Sequence, residues 1–432
     1  MNIIFLGDDI LKYFRTDGIR GEAYTEVTLH LAYLIGLFFK DSEKPIVIGM
    51  DTRASSPDLA HAVYEGLKGH KDIRFAGVIP TPGLMYYSLK NETIAIMITA
   101  SHNQYKDNGI KVIQNGCKIT KQYSEEIEEF IEQHKNVTFN NISDEIIDID
   151  YSVNKLYIEY LKSRIIPNDL KIVFDGANGA YSYILKELFD EKQIINCNPD
   201  GTNINLKCGS TDLTNLIHEL KVRKADLGIS FDGDGDRIMV VDKYNRIYEG
   251  DFLTYVFAIN LLEENKLTAN TVVFTEVVNP GILNKLKDLG IETITTEVGD
   301  HHISKALERE YVIGGESSGH IINKTLLPFG DGMSNALELI RILSTKPKKI
   351  HEYSFDIKFY YSKTVNIYFN NNDFDITQKL KEKVQKYAYR NKLHVILRKS
   401  GTEKAVRIFI YKPISKGLNN NITTIVKMIE ND

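Results

Sequence analysis

The 432-residue sequence predicts an α/β protein of several domains: three doubly wound α/β domains with mixed or parallel sheets, plus a smaller C-terminal α+β domain. Three observations carry this reading. The chain is longer than one hydrophobic core comfortably serves. Short apolar, β-rich runs alternate with helical patterns along most of its length, as in parallel sheets flanked by helices. The last part changes to strand, helix, strand, loop, strand, helix, with no further alternation.

The elements follow in order. After a turn at Thr16-Asp17-Gly18, residues 27–40 read as an amphipathic helix and 45–50 as a strand. Ser56-Pro57 starts a helix, with Ser56 as N-cap and proline at the first helical position. Residues 72–77 are a strand, Thr81-Pro82-Gly83 opens another helix, and 94–99 are a buried strand. The Asn-, Asp- and Ile-rich stretch 136–150 lacks helical period and reads as a linker. The alternation restarts at 171–174, and again after Gly250 with a helix to Glu264, a strand at 271–275 and a helix from Pro280. A strand at Val312-Ile313 leads into a loop at Glu316. The lysine-rich stretch 345–350, with Pro347, is a second linker and a candidate hinge. The C-terminal part reads as strands 363–369, 394–397 and 405–411 with helices at 375–387 and at the end. The expected domains are therefore 1–150, 151–250, 251–350 and 351–432.

Composition excludes several classes. Hydrophobic residues make up 43% and charged residues 26%, ordinary values for a soluble globular protein. The formal net charge of −5 argues against a nucleic-acid surface. The apolar start, 3–6, runs straight into Gly7-Asp8-Asp9, so neither a signal peptide nor a membrane span is expected. Cys117, Cys197 and Cys208 have no metal spacing and read as reduced thiols of a cytoplasmic protein.

Two stretches carry chemistry. The strand 94–99 breaks into Ser101-His102-Asn103, and Asp107-Asn108-Gly109 is a strong turn signal. Ser101 thus sits at the carboxyl end of a strand, where open α/β sheets bind ligands. Its hydroxyl is a candidate nucleophile or phosphate carrier; taken alone it is equally a turn cap. The second stretch, Ser230 to Arg237, follows the apolar run 227–229. Asp232, Asp234 and Asp236 alternate with glycines, so their oxygens can face one hard cation such as Mg²⁺. An EF-hand is excluded, because Arg237 and Lys243 occupy the positions of its glycine and its bidentate glutamate. Gly315 to Gly319 also matches the G-x-S-x-G elbow of esterases, but Ile321-Ile322 and Leu326 to Gly330 are no helix, and the elbow requires one.

Taken together these stretches resemble the α-D-phosphohexomutases. Thr99 to Asn103 with Asp107 to Lys111 is similar to the family's phosphoserine loop, and Asp232 to Arg237 to its metal loop. Gly314 to His320 resembles its sugar-binding loop, and Arg398 to Glu403 its phosphate-binding loop. All four stand in family order across nearly the whole chain. The resemblance implies four domains around a central cleft, each offering one loop. It implies Ser101 as phosphoryl carrier and one Mg²⁺ per subunit on Asp232, Asp234, Asp236 and the Ser101 oxygen. Arg20 and Arg237 would support the phosphoryl group or substrate, and His102 and Lys111 are the acid/base candidates. Thr16, Glu316, Ser318 and His320 would contact substrate, although His320 next to Ile321-Ile322 can equally be a packing residue. Arg398, Ser400, Gly401, Thr402 and Arg407 suit the phosphate that is not transferred, through an anion nest and bidentate guanidinium contacts. The implied partners are a small-molecule sugar phosphate and a bisphosphorylated hexose activator, with no nucleic acid and no membrane, in a cytoplasmic monomer or homodimer.

Residues 12–21, Pro199 to Asn205 and Cys208 to Thr211 look most like the family members that act on glucosamine phosphates; members acting on mannose and glucose phosphates are the alternative. Arg15, Lys399 and Lys404 depart from the family, adding positive charge near the expected phosphate sites. His301 and His302 depart from it in the loop expected to read the substrate.

Overall fold

The computed structural model describes residues 11–15, 17–139, 142, 145, 147–369, 376–399 and 405–430. The chain divides into two compact units, Met1–Glu249 with Ser318–Pro347, and Gly250–Ser317 with Lys348–Asp432.

The first unit opens on a seven-stranded sheet of β1 (Phe14–Arg15), β2 (Gly18–Glu22), β3 (Ile46–Met50), β4 (Ile73–Val78), β5 (Ile94–Ile98), β6 (Asp107–Gln114) and β7 (Cys117–Lys118). The order is β1-β2-β6-β5-β3-β4, with β7 beside β6. β3 runs parallel to β4 and β5, whereas β6 is antiparallel to β5 and β2. Every residue of β5 is buried, as in central strands covered on both faces. Alternate residues of β3 serve opposite cores. Ile46 and Ile48 pack with helices α1 (Leu29–Phe39) and α2 (Ser56–Leu67), and Val47 packs with α3 (Thr81–Asn91). The α1–α2 contact is glycine-limited: a Cβ on Gly36 would strike Val63 O, and one on Gly66 would strike Tyr33 O.

Two sequence expectations fail in this sheet. Asp107-Asn108-Gly109 is no turn but the start of β6, with Asn108 opposite Gly21 and Gly109 opposite Arg20. The Asn108 carboxamide, fully buried, donates to Ser55 Oγ at 2.8 Å and Ser56 Oγ at 3.0 Å. Tertiary pairing thus overrides a local turn propensity. Ser56 is the first helical residue of α2 and not its N-cap; its hydroxyl donates to Asp51 Oδ1 at 2.7 Å.

The second sheet contains β8 (Ile172–Asp175), β9 (Ile194–Ile195), β10 (Leu227–Phe231), β11 (Ile238–Asp242) and β12 (Ile247–Tyr248), in the order β12-β11-β10-β8-β9. β8 is parallel to β9 and β10, and β10 and β11 form an antiparallel pair whose connection is the acidic loop. The helix Gly332–Thr345 returns to pack on β10 and β11.

The second unit has a parallel core, with β13 (Thr271–Thr275) between β14 (Glu292–Thr296) and β15 (Ile313–Gly315). Its C-terminal part is a three-stranded antiparallel sheet, with Ala405–Lys412 between Tyr361–Tyr368 and His394–Lys399. The helices Gln378–Arg390 and Leu418–Glu430 close that core through Leu380, Val384, Ile425 and Ile429. Tyr411 OH donates to Val277 O at 2.5 Å, tying this sheet to the loop after β13. The fold class read from the sequence therefore holds, with the first sheet mixed. Cys197 and Cys208 are buried free thiols, and among the described residues no helix is long and apolar enough to cross a membrane.

Candidate active site

β5 carries Ser101 to the carboxyl edge of the first sheet, and β10 carries Asp232 to the same edge of the second. The two loops meet. Ser101 Oγ donates to Asp232 Oδ2 at 2.6 Å, and the hydroxyl is fully buried. His102 Nδ1 lies 3.4 Å from the same oxygen. Asp232, Asp234 and Asp236 turn inward together, with one carboxylate oxygen of each within 4.8 Å of the others. The turn that allows this needs Gly235, which has φ +81 and lies against the Tyr181 ring, so a side chain there meets both strain and collision.

The aspartates are held from outside. Asp234 Oδ2 accepts from Thr81 Oγ1 at 2.6 Å and from Lys111 Nζ at 2.8 Å. Asp236 Oδ2 lies 3.4 Å from Lys111 Nζ, and its Oδ1 faces Arg237 Nε at 3.8 Å and His320 Nδ1 at 3.7 Å. Asp232 Oδ1 accepts the backbone N–H groups of Gly235 and Arg237, each at 3.2 Å. His320 and Arg237 form an isolated antiparallel bridge, which explains the burial of the histidine.

Burial and the neighbouring Asp236 and Asp234 push the Asp232 carboxyl up to about 8. Burial acts on Asp236 in the same sense but is outweighed by Lys111 and His320, so it stays well below the usual carboxylate range. Burial also opposes the Lys111 charge, but Asp17, Asp234 and Asp236 outweigh it and hold the ammonium well above its ordinary value. Arg237, burial and Arg20 push the His102 imidazole down to about 3, so it is neutral at physiological pH.

The donor set fits a hard divalent cation. Three carboxylates converge, and Lys111 is shared with a fourth, Asp17, whose Oδ2 it meets at 3.0 Å. Asp234 Oδ1 and Asp236 Oδ1 are buried with no hydrogen-bond partner among the described residues. Buried carboxylate oxygens that accept no hydrogen bond are costly, and a cation joining them offsets that cost.

Sequence analysis did not single out Asp17 or Thr81. Asp17 pairs with Arg20, Lys118 and Lys111, gathering three cations beside the acidic loop. Its only sequence signal is the Thr16-Asp17-Gly18 turn. Thr81 reads locally as a helix start, and nothing local shows that its hydroxyl reaches Asp234.

The second unit holds Glu316, Arg398 and Arg407. Glu316 Oε1 accepts Gly299 N at 2.7 Å, and the Arg398 guanidinium donates to the adjacent Val298 O at 3.5 Å. The expected sugar loop and phosphate strand therefore meet at residues 298–299. Arg398 and Arg407 are direct cross-strand partners, and Arg407 Nε donates to Asn366 Oδ1 at 3.0 Å. The His301 and His302 rings lie against each other at a tilt of 41°, with centroids 3.8 Å apart, at the start of the helix Asp300–Leu307. Ser318 is exposed and belongs to the first unit. Thr16, Ser400, Gly401, Thr402 and Lys404 lie outside the described residues.

Comparison with known proteins places these features. Three family models match: phosphoglucomutase/phosphomannomutase alpha/beta/alpha domain I at residues 11–138, domain II at 153–245 and domain III at 249–358. A phosphoglucosamine mutase of Caldicellulosiruptor bescii is 37% identical over 446 residues, covering 97% of this chain and 99% of its own. The chain belongs to the phosphoglucomutase/phosphomannomutase family. A phosphoglucosamine mutase of Fusobacterium nucleatum is 36% identical, covering 92% of this chain and 94% of its own. Among solved structures, a phosphoglucomutase/phosphomannomutase family protein of Burkholderia thailandensis matches with a TM-score of 0.78 at 22% identity, over 96% of this chain and 97% of its own. Aspergillus fumigatus N-acetylphosphoglucosamine mutase, solved with GlcNAc-6P and magnesium, matches with a TM-score of 0.67 at 17% identity, over 97% and 95%. The chain is accordingly a phosphohexomutase, an intramolecular phosphotransferase.

Proposed function

We propose that this phosphohexomutase interconverts glucosamine 6-phosphate and glucosamine 1-phosphate, with Ser101 carrying the phosphoryl group between the two sugar oxygens and with one Mg²⁺ held by Asp232, Asp234, Asp236 and the Ser101 oxygen. The observation that carries the reading is the 2.6 Å bond from Ser101 Oγ to Asp232, two loops 131 residues apart in sequence. The choice of glucosamine is supported by phosphoglucosamine mutases 36–37% identical along nearly the full chain. The product would feed UDP-N-acetylglucosamine and cell-wall synthesis.

In the forward direction the bond between phosphorus and Ser101 Oγ breaks as one forms to the free sugar hydroxyl, whose proton passes to a base. The bisphosphorylated sugar turns around, and its 6-phosphoryl group returns to Ser101. Mg²⁺ held by Asp232, Asp234 and Asp236 would supply charge neutralisation for the transfer. His102 is the acid/base candidate by its place beside Ser101; with its imidazole pushed down to about 3 it is neutral and a weak proton acceptor. Lys111, whose ammonium is held by three carboxylates, suits charge stabilisation, since a raised pKa disfavours both giving up and abstracting a proton. Arg20 and Arg237 bring positive charge to the phosphoryl group. Glu316, Ser318 and His320 would read sugar hydroxyls, and Arg398 and Arg407, with the Ser400 to Thr402 loop, would grip the phosphate that is not transferred. A bisphosphorylated hexose would prime Ser101.

Assay of the purified protein on the 6-phosphates of glucosamine, glucose and mannose tests the substrate. A higher kcat/KM for mannose or glucose phosphate would replace glucosamine in this reading. Ser101→Ala tests the carrier: the expected outcome is loss of turnover with unchanged melting temperature, and retained mutase activity would remove Ser101 from the role.

A further inference from the structure

Arg53 is the largest fully buried side chain among the described residues. Its Nε donates to Asp51 Oδ2 at 2.8 Å, and its backbone N–H to Asp51 Oδ1 at 3.0 Å. The rest of its guanidinium is spent on backbone. One terminal nitrogen donates to Ser101 O at 2.9 Å and Asn103 O at 3.0 Å; the other donates to Asp107 O at 3.0 Å and to Gln104 O. Four carbonyls of the segment 101–107 thus accept from one side chain. Asn205 Nδ2 also donates to Ser101 O at 2.9 Å and Asn103 O at 3.1 Å.

The network closes on Ser101. Asp51 Oδ2 accepts from Thr99 Oγ1 at 2.7 Å, and Thr99 Oγ1 accepts from Ser101 N at 2.9 Å. Both backbone polar groups of Ser101 therefore lead to the same buried ion pair. Ser101 needs such a hold, because its φ is +52, a left-handed conformation that a serine leaves unless its surroundings over-determine it. Relaxation to negative φ would swing Oγ away from Asp232. Buried ion pairs seldom improve on apolar packing for stability alone, so a fork spent on one loop points to placement.

We propose that the Asp51–Arg53 pair, acting through Thr99, is the positioning device of the reacting hydroxyl: it locks Ser101 in the left-handed conformation that aims Oγ at the aspartate loop, with and without a phosphoryl group. This rests on Ser101 being the carrier. Lysine at position 53 keeps the charge but lacks the fork that reaches four carbonyls. Valine at position 99 keeps the shape but neither accepts from Ser101 N nor donates to Asp51.

The test compares Arg53→Lys, Thr99→Val and Ser101→Ala with wild type. It measures kcat and KM on glucosamine 6-phosphate, the melting temperature, and the ³¹P resonance of protein treated with a hexose 1,6-bisphosphate. The expected result for Arg53→Lys and Thr99→Val is a fall in kcat of about 100-fold, the cost of small misplacement, with KM unchanged and the phosphoserine resonance shifted. Wild-type kcat in a folded Thr99→Val protein overturns the proposal. So does a loss of kcat with an unshifted resonance or a KM that rises in step. If Arg53→Lys does not fold, Thr99→Val decides; failure of both to fold also overturns it, since the pair would then serve stability. An active Ser101→Ala protein instead refutes the carrier reading, whatever the other two variants do.

Discussion

At Asp234 the two carboxylate oxygens have different fates. Oδ2 is bound by Thr81 and Lys111, whereas Oδ1 is buried and has no partner among the described residues. The first oxygen orients the side chain and leaves the second for a cation. Asp234→Asn replaces a charged hard ligand by a neutral amide and is expected to abolish metal-dependent turnover at Mg²⁺ levels that saturate wild type. Activity that survives both this change and EDTA would make the loop structural. Thr81→Val removes only the orienting bond. Partners of this kind typically tune metal affinity by about 10–100-fold, and a rise in Mg²⁺ Kd of that size is expected by titration calorimetry. An unchanged Kd would mean that Lys111 alone orients Asp234.

Elements set these residues in place through buried polar hubs. Tyr157 from the helix Tyr151–Lys162 and Tyr181 from the helix Tyr181–Leu188 donate to Asp331 at 2.9 and 3.0 Å. Asp331 also caps the helix Gly332–Thr345 by accepting Ser334 N at 2.9 Å. Three helices are pinned at one carboxylate, with the Tyr181 ring against Gly235 of the metal loop. Tyr181→Phe keeps the ring and deletes the hydroxyl. Denaturant unfolding is expected to show a loss of about 1–3 kcal/mol, the cost of a buried hydrogen bond left unmade, with Mg²⁺ affinity intact. A matching loss of Mg²⁺ affinity would show that the hydroxyl, and not the ring, shapes the loop. On the strand His394–Lys399, Arg398 reaches Val298 O beside the Glu316 contact. Arg398→Ala is expected to weaken substrate binding by about 1.5–3 kcal/mol, read as KM, without loss of phosphoserine formation by the bisphosphorylated activator. An unchanged KM with lost phosphoserine would move Arg398 to the chemistry.

For the molecule as a whole, a cation held by the acidic cluster would couple metal binding to stability. The folded first unit gathers the buried Asp232, Asp234 and Asp236 and the half-buried Asp17 in one network, a group the unfolded chain scatters. A cation that binds only the folded state therefore stabilises it. At a free concentration of 100 times Kd the gain is about 2.7 kcal/mol. Melting curves in Mg²⁺ and in EDTA should differ accordingly, and Asp234→Asn should abolish the difference. Identical curves for wild type would exclude a resident metal at this cluster.

The sequence by itself determined the fold class and singled out the serine and aspartate loops. Short apolar runs broken by small polar residues are local signals, and so is the alternation of aspartate with glycine; these were legible because the physics behind them acts over a few residues. Strands β3, β5 and β13 lie within a residue of their expected bounds for that reason. Only the tertiary structure decided the rest. Asp107-Asn108-Gly109 has every local mark of a turn, yet pairing with β2 and β5 draws it into a strand. Ser56 looks like a cap, yet its hydroxyl turns to Asp51. Thr81 and Arg53 show no local sign of the loops they reach, because Thr81 meets Asp234 across 153 positions and Arg53 meets Ser101 across 48; Asp17, beyond its turn and the nearby Arg20, meets Lys111 and Lys118 only through the fold. A residue whose role is to satisfy a distant buried group is recognised only when the chain has folded around that group, since the desolvation that makes the contact necessary does not exist in the unfolded chain.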